Sequence, residues 1–237
     1  MKIALLTFLF SITIVVAEDK KLWSGDSELG YKLTKGNSND KSLSFRQSLI
    51  FDSAPWKNTL KLAIDNTTSN DVRSEEKYYL TEKLDRNLTP NTYAFIRGSY
   101  EKDLFSSFDF QSSYVLGLGH KFLNNKTFQF SVDMGVGGIY EKLQSEAQSE
   151  SGLMYYLADE FIWRFSETAE FGQTANFEFA DLNTISRASV YLKTLLVKGI
   201  SLRLSYSVKH NNQVAEVDGT RKNKTDIESL ATIVYAF

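Results

Sequence analysis

The chain has 237 residues with 27 Lys and Arg against 29 Asp and Glu, a net charge of −2 that argues against a nucleic-acid binder. Cysteine is absent and the two histidines have no partner at ligand spacing, which argues against a disulfide scaffold and against a metal centre. Aromatic residues are abundant, with 17 Phe and 12 Tyr, as a lipid-facing belt with interfacial girdles requires.

Residues 1–17 hold Lys2, an apolar run from Ile3 to Val16, and Val15 and Ala17 just before the charged Glu18-Asp-Lys-Lys21. This is the pattern of a cleavable secretory signal peptide. The run is shorter than the roughly 20 residues of a spanning helix. Every later apolar run is broken within a few residues by charge, so a membrane fate is open only to strands. Residues 18–237 then read as one domain without a linker.

Strand one, Trp23 to Thr34, sets Trp23, Leu29, Tyr31 and Leu33 against Asp26, Glu28 and Lys32. This period of two marks a strand with one apolar and one polar face. A Gly36–Asn39 loop follows. Strand two places Leu43, Phe45, Leu49 and Phe51 opposite Ser44, Arg46 and Ser48, and turns at Pro55. Strand three carries Leu60, Leu62 and Ile64 opposite Lys57, Lys61 and Asp65, and ends in a polar loop expected over residues 67–74. Strands four and five, residues 77–85 and 92–100, have no clear parity. Glu82 shares a face with Tyr78, Leu80 and Leu84, and Arg97 shares one with Tyr93 and Phe95.

From residue 112 the alternation is clean again. Strand six sets Tyr114, Leu116, Leu118 and Phe122 against Gly117, Gly119 and Lys121, and strand seven sets Phe128 through Val136 against Gln129, Ser131, Asp133, Gly135 and Gly137. Those glycines are expected to bend the wall or leave room in the lumen. A polar connection at residues 142–151 leads to strand eight, with Phe161, Trp163 and Phe165 opposite Glu160, Ile162 and Arg164. Strand nine opposes Phe171, Phe177 and Phe179 to Glu170, Thr174 and Glu178. Strand ten opposes Val190 and Leu192 to Arg187 and Lys193, and strand eleven opposes Leu202, Leu204 and Tyr206 to Arg203, Ser205 and Lys209. The closing strand ends on Ile233, Tyr235 and Phe237. An aromatic carboxyl terminus on an apolar face is similar to the closing strand of outer-membrane barrels, so Tyr235 and Phe237 are expected to form the signal read by the barrel-assembly machinery.

Twelve strands near the roughly 9–11 residues of a tilted membrane strand, with short turns after even strands and longer polar links after most odd ones, predict an all-β antiparallel transmembrane barrel of outer-membrane type. The expected address is the outer membrane of a Gram-negative-type bacterium, after signal-peptide cleavage. A secreted soluble barrel or sandwich with its apolar faces inward is the competing reading, because alternation alone does not say which face meets water.

Trp23-Ser-Gly25, Glu28-Leu-Gly-Tyr31, Gly36-Asn-Ser38, the Gly-Leu-Gly core of residues 114–120 and Ile200-Ser-Leu202 resemble the salt-induced outer membrane proteins (domain of unknown function 481). The resemblance covers essentially the whole chain after residue 17. It implies a barrel, an envelope address and a link to salt or osmotic stress, and it supplies no catalytic residue.

Function then rests on the lumen. The register puts Asp26, Glu28, Lys32, Arg46, Lys61, Asp65, Asp133, Glu160, Arg164, Glu178, Lys193 and Arg203 on the inner face. Rings of one sign would predict strong ion selectivity. The mixed signs predict a partly filled, cross-linked interior, or a narrow and weakly selective channel for a small solute of unknown identity. Catalysis is not expected, since His120 and His210 fall at opposite ends of the barrel, and no cofactor is implied. The alternatives from other classes are a rim enzyme acting on lipid or peptide and a surface-binding protein that uses its outer loops. Four Asn-X-Thr triplets, starting at Asn66, Asn87, Asn125 and Asn223, are read as turn chemistry.

Overall fold

The computed structural model describes residues 22–34, 40–144, 149–214, 216–217, 220–221 and 223–237. The expected signal peptide and the Gly36–Asn39 loop lie outside them, as does part of the link at residues 142–151. The strands are β1 (Trp23–Thr34), β2 (Asp40–Ser53), β3 (Trp56–Ser69), β4 (Val72–Asn87), β5 (Thr92–Asp103) and β6 (Phe108–Asn124). They continue as β7 (Phe128–Leu143), β8 (Glu150–Arg164), β9 (Ala169–Ala180), β10 (Thr184–Val197) and β11 (Ile200–Asn211). A small hairpin, β12 (Glu216–Val217) and β13 (Thr220–Arg221), precedes the closing strand β14 (Thr225–Ala236). No helix occurs among the described residues.

Each long strand pairs antiparallel with its neighbours in sequence, and β14 pairs with both β11 and β1, which closes a twelve-stranded barrel. Closure gives every long strand a partner on both sides, with the β1–β14 ladder, of four residue pairs, the shortest. The outer face is an apolar belt in which Leu29, Ile96, Leu116, Met134, Leu192 and Ile233 are all exposed. Aromatic rings border it at both ends. Trp23 with Phe51, and Phe128 with Trp163, stand near the short-turn end; Tyr100, Phe110 and Tyr140 form a ring cluster near the other. A continuous exposed belt of this extent is far larger than a water-soluble monomer presents.

The structure resolves the parity of β4 and β5. On β4 the outward residues are Tyr78, Leu80, Glu82 and Leu84, while Lys77, Tyr79, Thr81, Lys83 and Asp85 point inward. Glu82 is thus a polar residue within the belt, and it accepts a hydrogen bond from Asn58 Nδ2 at 2.8 Å. On β5 the inward residues are Tyr93, Phe95, Arg97 and Glu101. Aromatic and charged side chains share this face because the lumen, not the bilayer side, takes the rings.

Two expectations are corrected. The polar loop expected at residues 67–74 is a tight hairpin, in which Asn70 and Asp71 adopt φ of 49° and 63° between Ser69 and Val72. Asn and Asp tolerate this left-handed backbone, and such turns match the strand twist. Residues 104–107 and 181–183 are likewise short links, so the difference in loop length between the two ends is smaller than the sequence suggested. The polar residues instead extend the strands past the apolar belt. Inner-face glycines are expected to bend the wall or leave lumen space, and those of β6 do not leave it empty. A Cβ on Gly119 would lie 2.2 Å from the Tyr93 ring, and one on Gly117 2.6 Å from the Phe95 ring. Each glycine pairs directly across the ladder with its aromatic partner, so the rings lie flat on the inner wall.

Candidate functional site

Among the described residues, the buried ion pairs gather in the lumen. A barrel of about 16 strands leaves an aqueous channel, and one of about eight is filled by its own side chains. Twelve strands leave an intermediate space, and here long side chains reach across it.

The central device is a buried Arg–Glu–Arg triad. Glu178 on β9, 1% exposed, accepts from Arg97 on β5 at 3.2 Å, from Arg187 on β10 at 3.1 Å and from Ser113 Oγ at 3.1 Å. Arg97 also donates to Tyr79 Oη at 3.1 Å and stands 5.1 Å above the Tyr156 ring. Beside it, Glu101 on β5 accepts from Arg187 at 2.9 Å and from Lys209 on β11 at 2.5 Å, with Lys77 at 3.5 Å. Lys209 donates further to Gln111 at 3.0 Å, and Gln111 and Asn183 both donate to Glu141. In the ring order, β5 and β11 are six places apart out of twelve, on opposite walls. The Glu101–Lys209 pair therefore spans the lumen.

Below this network an apolar cluster of Tyr93, Phe95, Val115, Ile139, Met154, Tyr156 and Ile185 fills part of the interior. Tyr93 Oη donates to Asp133 at 2.6 Å, and Lys83 pairs with the same carboxylate at 2.5 Å while standing 4.7 Å above both the Tyr93 and Phe95 rings. Burying charge in this way is tolerable only where each group is paired and hydrogen-bonded. The network meets that condition with amide and hydroxyl groups from Gln111, Ser113 and Tyr79.

The residues singled out from sequence fall into two sets. Glu28 pairs with Arg203, Arg46 with Asp65 and Glu228 at 2.8 Å each, and Asp133 with Lys83. Glu170 gathers Arg164 and Lys193, and Glu178 belongs to the triad. Asp26, Lys32, Lys61 and Glu160 also alternate onto the inner face, but form no ion pair among the described residues. Sequence reasoning missed Arg97, Glu101, Lys77, Lys83 and Tyr93, all on the two strands of ambiguous parity. The available signal was the cross-strand glycine: an aromatic residue facing Gly across a ladder is placed inward wherever the glycine is.

The remaining candidates lie apart. His120 faces outward and is 3.0 Å from Thr92 Oγ1, whereas His210, also outward, is 2.8 Å from Thr225 Oγ1 at the other end. Among the described residues no group of His, Asp and Glu is placed to hold a metal ion. Tyr235 and Phe237 stack outward at 6.2 Å between ring centres. Phe237 does more than expose a ring, since its backbone N–H donates to Gly25 O at 3.1 Å and its carbonyl accepts from Gly25 N at 3.2 Å.

Residues 27–237 match the family described as "Protein of unknown function, DUF481". The chain belongs to this family. It is 27% identical over 207 residues to the uncharacterized protein YdiY of Escherichia coli (strain K12), covering 87% of this chain and 81% of that protein. Among solved structures it is similar to the NanC porin, with a TM-score of 0.53 and 11% identity, over 89% of this chain and 98% of that one. At such low identity the likeness concerns the fold alone, a porin-type outer-membrane barrel.

Proposed function

We propose that this family member is an outer-membrane envelope protein whose lumen is a narrow, weakly selective passage for small solutes, held nearly shut by ion pairs that reach from wall to wall. The observation that carries this reading is the pair of bridges from Glu101 and Glu178 to Lys209, Arg187 and Arg97, which tie β5 to β9, β10 and β11 across the interior. Mixed charge along the wall supports weak selectivity, because a strong preference needs rings of one sign. The apolar outer belt and its aromatic borders support a place in the bilayer. A link to salt or osmotic stress rests on the family resemblance, and a nearly closed, charge-latched lumen suits a passage that must not leak ions at rest.

Single-channel recording of the purified barrel in planar bilayers tests this. Low conductance with little preference for cation or anion is expected. A large, stable, porin-like conductance in the unmodified protein would overturn the closed-lumen reading.

A further inference from the structure

The barrel wall is not paired equally around its circumference. β1 pairs with β2 along its whole length, from Trp23–Phe51 to Thr34–Asp40, and β14 pairs with β11 from Tyr235 to Thr225. Between β1 and β14 the ladder runs only from Asp26–Ala236 to Leu29–Ile233, extended downward by the reciprocal Gly25–Phe237 bonds. From Gly30 to Thr34 on β1, and from Thr232 onward towards Thr225 on β14, the two edges face each other without a ladder. At about 3.4 Å per residue this unzipped stretch is about 17 Å long. Unpaired backbone groups in hydrocarbon cost several kcal/mol each, so a membrane barrel does not leave such a seam without a cover.

Here the cover is made of side chains. A Cβ on Gly30 would lie 2.9 Å from Leu230 Cδ1, 3.1 Å from Thr232 Cγ2 and 3.3 Å from Ala231 O, so these β14 side chains lie close over the β1 backbone there. Behind them, two ion pairs cross the seam, and each skips a strand. Arg46 on β2 reaches Glu228 on β14, and Arg203 on β11 reaches Glu28 on β1, to which Thr232 Oγ1 also donates at 3.0 Å. Side-chain latches can open and reclose while the ladders on either side stay whole. The two faces of the gap also differ in chemistry. Lys32, on the inner face, is exposed and unpaired among the described residues, whereas Tyr31, Ile227 and Ile233 are exposed on the outer face.

We propose that this half-zipped seam is a lateral opening through which a single-chain amphiphile with an acidic head passes between lumen and bilayer. The head rests against Lys32, and the chain lies in the gap between β1 and β14. This rests on the lipid-facing reading of the outer belt, but not on ion conduction through the lumen.

The test uses the full barrel in phosphatidylcholine vesicles, with Trp23, Trp56 and Trp163 replaced by Phe and single tryptophans introduced by Leu230→Trp behind the seam, by Thr174→Trp on the inner wall at β9, three strands from β14, and by Leu116→Trp on the outer belt. A bromo-substituted dodecanoic acid serves as the quenching amphiphile. Saturable quenching is expected at positions 230 and 116, with none at 174. Cross-linking Tyr31→Cys to Ala231→Cys, in a chain that has no other cysteine, should abolish quenching at 230 and leave 116 unchanged. Lys32→Gln should weaken the apparent affinity at 230 by roughly fivefold, as an exposed charge pair allows. If Leu230→Trp disturbs the seam packing, Ser42→Trp, paired with Lys32 on the inner face of β2, reports from the same side. Absence of quenching at both seam positions, or quenching that survives the cross-link, would overturn the lateral opening. Loss of quenching at 116 would instead sink the lipid-facing reading itself.

Discussion

Replacing Glu178 by Gln removes one negative charge from the centre of the Arg97–Glu178–Arg187 triad and changes little in shape. In the native chain this carboxylate accepts three hydrogen bonds, at 3.1, 3.1 and 3.2 Å, and is 1% exposed, so water cannot take over when it is lost. Breaking a buried pair on one side costs about 3–5 kcal/mol, chiefly because the surviving cation is left without compensation. Glutamine keeps one acceptor oxygen and Arg187 keeps Glu101, which places the expected loss at the lower end, about 3 kcal/mol. The assay is urea unfolding of the barrel in detergent micelles, followed by tryptophan fluorescence and by the gel-mobility shift between folded and unfolded forms. The midpoint should fall with an unchanged slope, as expected when stability changes but the exposed surface does not. Replacing the whole triad with Arg97→Met, Glu178→Leu and Arg187→Met should recover most of that loss, since well-packed apolar groups commonly match a buried ion cluster in stability. If Glu178→Gln unfolded at the same urea concentration as the native barrel, the triad would not be the structural latch described above.

Deleting Phe237 removes both backbone bonds to Gly25 from a seam that has few, at about 0.5–1.5 kcal/mol each. The folded fraction should drop and protease-sensitive protein should accumulate; unchanged abundance would make the aromatic ending incidental to assembly. Gly119→Val would force the Tyr93 ring off the wall and should cost about 1–3 kcal/mol, read by the same urea titration, with native-like stability refuting the inward placement of that ring. Asn70→Val puts a branched side chain at a φ of 49° and should destabilise the β3–β4 hairpin by about 1–2 kcal/mol, seen as faster hydrogen exchange there, which a native exchange pattern would contradict. Cell fractionation should recover the protein as a heat-modifiable band with the outer membrane. Recovery mainly from soluble periplasm would contradict the lipid-facing belt.

Most of the wall was legible in the sequence because one rule, apolar outward and polar inward, holds along β1, β2, β3, β6, β7, β9, β10, β11 and β14. It fails where the lumen itself is apolar. Tyr93 and Phe95 fill the interior of β5, so their face reads the same as an outward face, and Glu82 on β4 sits in the belt beside Leu80 and Leu84. The two strands that obscure parity also supply Arg97, Glu101, Lys77 and Lys83, so the core of the ion network was hidden along with them. Pairing was less legible still. That Glu160 and Lys61 form no ion pair among the described residues while Glu101 meets Lys209 across the barrel depends on tilt, stagger and side-chain reach, none of which a period of two encodes. The β3–β4 link read as a loop because Asn70 and Asp71 mark a tight hairpin as readily as a longer connection.

The claim that the lumen is shut by side chains reaching from wall to wall is tested most directly by a charge-reversal cycle on Glu101 and Lys209 in planar bilayers. Glu101→Lys alone and Lys209→Glu alone each place like charges face to face across a 2.5 Å contact, and each should raise the single-channel conductance. The double reversal, Glu101→Lys with Lys209→Glu, restores opposite charges across the 101–209 contact but leaves position 101 against Arg187 and Lys77, so it should bring conductance part of the way back towards the native low level. A double variant that conducts as much as the two single changes combined would contradict the bridge.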